Sequence, residues 1–135
     1  MIALFRYSEA KYSKAKVLIG GVGLHCLAAF GMTSLFAWLT ASRAIAGNLS
    51  HGLFACAVGL EAGYFCAGLI WPLSDRRMIE IALGAIVFAL FYWGVSVSTP
   101  DRLIAQAMFG SGGGILAATA FRRVFLSPPV FPRVP

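Results

Sequence analysis

Charge is what this sequence has least of. Charged residues fill 12% of its 135 positions, and only five of them are acidic. Soluble domains carry about a quarter charged residues, so an ordinary water-facing surface is excluded. Histidine and cysteine, the common metal ligands, are scarcer still, with two histidines and three cysteines in the whole chain. Cys26, Cys56 and Cys66 form no CxxC pair, and each lies in an apolar stretch. Apolar burial leaves thiols inert, so they read as small packing residues. Bis-histidine ligation of a haem needs two histidines within the apolar stretches, but only His25 is so placed, His51 falling in a polar break. A zinc-type set is equally incomplete. No metal or other cofactor is therefore expected. Nor is there a nucleophile with a base and an orienting group, so no catalytic residue is assigned and an enzyme is not expected.

Apolar sequence is abundant instead. Hydrophobic residues make up 59% of the chain, and its mean hydropathy is +0.81. Four apolar stretches, Val17–Thr40, Leu53–Leu73, Met78–Ser98 and Leu103–Ala120, are separated by short polar breaks. Each is close to the ~20 residues that carry a helix across a ~30 Å hydrocarbon layer. The expected fold is thus all-α, a four-helix transmembrane bundle over residues 17–120. The stretch Val17–Thr40 is too long for the ~7–15-residue apolar region of a secretory signal, so it is expected to remain as the first span.

The basic residues orient the bundle. Arg6, Lys11, Lys14 and Lys16 precede the first span, Arg76 and Arg77 follow the second, and Arg122, Arg123 and Arg133 follow the fourth. Only Arg43 and Arg102 lie in the two remaining loops. Cytoplasmic flanks carry the Lys and Arg excess, so both termini are expected on the inner side. The net charge of +6 is thereby directed at a lipid bilayer and away from nucleic acid. Lys11, Lys14, Lys16, Arg76, Arg77, Arg122 and Arg123 are the candidates for contact with anionic headgroups, each worth ~1 kcal/mol. Residues 1–16 mix apolar side chains with lysines, which suits a short interfacial helix. Residues 121–135 form a basic, Pro-rich tail, and its segment Ser127–Arg133 disfavours helix. A multi-pass protein of the bacterial inner membrane is expected, with the mitochondrial inner membrane as the alternative.

Glu61 lies in the middle of the second span. At that depth a carboxylate must be neutral, paired, or turned towards water or protein. His25 in the first span is its natural partner. At ~1.5 Å per residue the two differ in depth by roughly 6 Å, within reach of a direct or water-bridged contact. Such a pair serves as a proton site, an ion site or a partner contact.

Small residues recur at every fourth position. Gly59, Gly63 and Ala67 form one stripe, and Gly110, Gly114 and Ala118 form another. That spacing lets helix backbones approach closely, so both stripes are expected to pack inside the bundle. Glu61 is two residues, or about 200°, away from Gly59 and Gly63, so it faces a different neighbour. Gln106, Ser96 and Ser98 are candidates to line a vestibule at the outer end.

Two function classes follow. The first is a non-catalytic subunit or assembly component of a larger membrane complex, with other membrane subunits or a homo-oligomer as partners. The second is a small transporter or channel for a proton, an ion or a lipid-linked substrate, using Glu61 and His25. The segment Phe121-Arg122-Arg123-Val124-Phe125 and the lengths of the two hairpins resemble the GtrA-like family of small four-span proteins. That resemblance implies translocation of polyprenyl-linked sugars. The family's asparagines at the ends of spans two and four are missing here.

Overall fold

The computed structural model describes residues 11–39, 49–95 and 99–126. It is all-helical, with α1 at Lys14–Leu39, α2 at Leu49–Leu69, α3 at Asp75–Val95 and α4 at Thr99–Phe125. Three of these are long and apolar enough to cross a membrane, over Lys14–Leu35, Asp75–Val95 and Asp101–Phe125. The apolar run described in α2, Phe54–Leu69, is shorter. Most of the expected interfacial segment, residues 1–10, lies outside the described residues, as do 127–135 of the tail and Ser96 and Ser98.

The helices begin ahead of the apolar stretches because polar residues satisfy their first turns. The Ser13 carbonyl accepts the Val17 N–H at 3.1 Å, so α1 already includes Lys14 and Lys16. At the start of α3, Ser74 Oγ accepts the Arg77 N–H at 3.4 Å. Asp75 stands in that first turn, where the helix dipole favours an acid. Pro100 occupies the first turn of α4, where its missing N–H leaves no bond unmade. α2 stops at Leu69, short of the expected Leu73. Pro72 disfavours the helical conformation at the residue before it, which closes the helix early. At its other end α4 runs past Ala120 to Phe125, which brings Arg122 and Arg123 into its last turn. Cations are favoured there by the exposed carbonyls of the helix end.

α4 is the central element. In its apolar window 61% of residues are buried, against 11% for α1 and 17% for α3. Gly112, Gly113 and Gly114 account for this position. Successive helical residues differ by 100°, so the three glycines face three different helices. An added methyl at Gly112 would meet the Ala82 carbonyl and the Ile86 side chain of α3, at Gly113 the Met32 side chain of α1, and at Gly114 the Leu60 carbonyl of α2. The small-residue stripes mesh along α2 and α4. Gly59 lies on the Ala107 carbonyl, Gly63 on that of Ser111, and Gly110 on that of Cys56. Ala67 and Ala118 are fully buried in the same layer. In a bilayer, whose lipid tails are as apolar as these side chains, close van der Waals contact and not expulsion of water would hold such helices together. Trp71, Phe109 and Phe121 are the largest side chains in the buried layer.

Candidate functional site

A cleft opens sideways between α1 and α2. It measures about 200 Å³ and is lined by Val22, His25, Glu61 and Tyr64. His25 Nε2 stands 2.9 Å from Glu61 Oε1. The Tyr64 ring stacks on the imidazole, with centroids 5.1 Å apart and planes at 29°. Helical spacing produces this arrangement. Val22 and His25 are three apart on α1, and Glu61 and Tyr64 are three apart on α2, so each pair shares a face. Gly59 and Gly63 turn the opposite face of α2 towards α4, which leaves Glu61 at the rim of the bundle. Its side chain is 68% exposed and that of His25 is 29% exposed, whereas Tyr64 is buried beneath them. The pair therefore looks out of the chain's flank, not into its centre.

A second polar cluster closes the basic end of the bundle. Arg122 Nε donates to Asp75 Oδ1 at 2.7 Å, Nη1 to the Trp71 carbonyl at 2.6 Å, and Nη2 to the Leu73 carbonyl at 3.1 Å. Its guanidinium also lies 4.7 Å from the Trp71 ring centroid. Arg123 Nε donates to Asp75 Oδ2 at 2.8 Å, so both carboxylate oxygens are engaged. Arg122 thus ties the end of α4 to the α2–α3 turn, taking up carbonyls that Pro72 leaves outside a helix.

This corrects the placement of one residue. Arg122 is only 6% exposed, so it is not a headgroup ligand but a buried strut. Trp71 is fully buried under it. The reason is Asp75, an acid within reach that draws the guanidinium inward. Lys14, Lys16, Arg77 and Arg123 remain on the surface. Arg76 pairs with Glu80 at 3.0 Å, one helical turn away, and the exposed Lys11 donates Nζ to the Arg123 carbonyl at 3.1 Å.

Gln106 lines no vestibule. It is 8% exposed, and its amide lies against Gly52 of α2. At the same end Tyr92 Oη donates to Asp101 Oδ1 at 3.3 Å, and Arg102 lies 5.8 Å from the Trp93 ring centroid. Cys56 is buried and donates Sγ to the Gln106 carbonyl at 3.5 Å, while Cys26 and Cys66 are free and exposed. Among the described residues no group of three or more His, Cys, Asp or Glu side chains converges as a metal site.

The Arg122–Asp75 strut is what sequence reasoning missed. Its signal was a lone acid in the most basic loop, four residues after Trp71. No family model, no curated protein and no solved structure matches this chain. What the arrangement offers chemically is a hydrogen-bonded imidazole and carboxylate, open to the side.

Proposed function

We propose that the chain is a non-catalytic component of a larger membrane complex, working through lateral contacts in the plane of the bilayer. In this reading α2 is a fourth crossing, both termini lie on the cytoplasmic-type side, and the protein resides in a bacterial inner membrane. One observation carries it. The His25–Glu61 pair sits on the flank, with Glu61 68% exposed, while α4 is packed against the other helices through its glycines. Pairing with His25 relieves part of the cost of a carboxylate at membrane depth, and the 68% of the Glu61 side chain left exposed favours a further protein group over it. A partner seated on α1 and α2 removes that cost.

Purification in mild detergent, with mass and composition analysis, tests the proposal. Stoichiometric co-purification of other chains is the expected result. A lone chain, or an oligomer of this chain only, contradicts it. A second reading, proton- or ion-coupled transport, is favoured by the 2.9 Å imidazole–carboxylate contact, since such a couple can exchange a proton with the cleft. Its test is Glu61→Gln in a reconstituted flux assay, where unchanged flux and pH dependence reject it.

A further inference from the structure

We propose that the groove between α1 and α4 holds one acyl chain of an anionic phospholipid, with the lipid phosphate at the basic end of the bundle. The groove measures about 420 Å³, and every residue that lines it is apolar. It stands apart from the function proposed above, because Leu27 on its wall is about 200° round α1 from His25. Along α1 it runs from Leu24 to Leu35, eleven residues or ~16 Å. That volume over that length makes a channel roughly 6 Å across, narrower than the ~10–12 Å of a helix with its side chains. Small residues keep it open. Gly31 of α1 lines it with Ala117 and Ala120 of α4, and a methyl added at Gly31 would meet nothing within 4 Å. A slot of this section takes one extended hydrocarbon chain, and its lining side chains offer that chain no polar group.

Charge at one end selects the headgroup. Lys16 is eleven residues before Leu27, which at about 100° per residue puts the two on nearly the same face of α1. Arg123 is seven residues after Leu116, again within about 20° on α4. Both cations are exposed, Arg123 to 65% even though its Nε holds Asp75 Oδ2. The two helices come together at this end, since a methyl added at Gly20, one turn from Lys16, would meet the Phe125 ring. Lys11 brings a third cation by donating Nζ to the Arg123 carbonyl at 3.1 Å. Measured along the helices, Arg123 is ~5 Å beyond Ala120 and Lys16 ~12 Å beyond Leu24, the last lining residues on each side. A phosphate attached through glycerol to a chain in the slot therefore falls among these cations. An apolar channel that leads into clustered positive charge is complementary to a lipid with an anionic head.

The test titrates full-length, delipidated protein in mild detergent with phosphatidylglycerol and with phosphatidylcholine of the same acyl chains. Native mass spectrometry counts the lipid bound. One phosphatidylglycerol per chain is expected, held roughly fivefold or more tighter than phosphatidylcholine. Gly31→Leu puts a side chain into the groove without meeting the protein, and should weaken phosphatidylglycerol binding by about tenfold or more. Gly84→Leu, at an equally open position of α3 outside the groove, should leave it unchanged. Lys16→Ala should weaken phosphatidylglycerol about fivefold and leave phosphatidylcholine as it was. Equal binding of the two lipids, parental binding by Gly31→Leu, or equal losses in Gly31→Leu and Gly84→Leu overturns the inference. So does release of a co-purifying protein chain, and not of lipid, by Gly31→Leu, which would show that a partner helix seats in the groove.

Discussion

Replacing Gly63 with alanine adds one methyl where α2 and α4 touch. That methyl would fall inside the Ser111 carbonyl, a backbone group that cannot rotate away. The two helices must separate along the Gly59–Gly63 and Gly110–Gly114 contacts. Forced overpacking costs ~1–3 kcal/mol, and a rigid backbone neighbour places this site at the upper end. Alanine returns up to ~1 kcal/mol through its better helix propensity. The net expectation is a loss of ~2 kcal/mol. Gly68 supplies the matched control, one and a half turns further along the same helix. A methyl there meets nothing within 4 Å, so Gly68→Ala keeps only the propensity gain of up to ~1 kcal/mol. The readout is thermal labelling of a thiol in mild detergent. In a Cys26→Ser, Cys66→Ser background the remaining thiol is Cys56, which is 4% exposed and reacts only as α2 and α4 part. Gly63→Ala should label at clearly lower temperature than its parent, and Gly68→Ala at the same or higher temperature. Equal shifts for the two variants would refute the close-contact account of α2 and α4.

Two further substitutions probe the basic end. Arg122→Ala strands Asp75 and two carbonyls, and removing one partner of a buried ion pair costs ~3–5 kcal/mol. The low end applies because Arg123 still holds Asp75 Oδ2. Arg122→Lys should rescue little, since an ammonium cannot span Asp75, Trp71 and Leu73 together. The same thiol assay checks both, and a loss below ~1 kcal/mol for Arg122→Ala would show the strut to be dispensable. Glu80→Ala removes only an exposed i,i+4 pair with Arg76, so its effect should stay under ~0.5 kcal/mol. A larger shift would mean that Glu80 has a role beyond that pair.

Much of this architecture is legible from local rules. Hydropathy and length mark the apolar stretches, and Pro72 and Pro100 mark where helices stop and start. The spacing of Gly59, Gly63, Gly110 and Gly114 announces close backbone contact before any partner is known. The turn of Glu61 away from that stripe follows from 3.6 residues per turn alone. What the sequence could not reveal are choices between equivalent partners. Arg122 and Arg123 are adjacent and chemically identical, yet only Arg122 faces Asp75 from the buried side, because helix rotation about α4 decides it. Gln106 reads as a helix-end polar residue, but the space left by Gly52 draws it inward. The centrality of α4 was hidden for a similar reason. Three consecutive glycines look like a weakened helix until each is seen to face a different neighbour.

The central claim is that the His25–Glu61 flank is where this chain meets its membrane partners. The most direct measurement is the mass and composition of the detergent-extracted complex from native membranes, for the unsubstituted chain and for Glu61→Ala side by side. The account predicts an assembly containing other chains, which dissociates to the free chain when Glu61 is removed. An assembly unchanged by Glu61→Ala, or no other chain in either preparation, would contradict it.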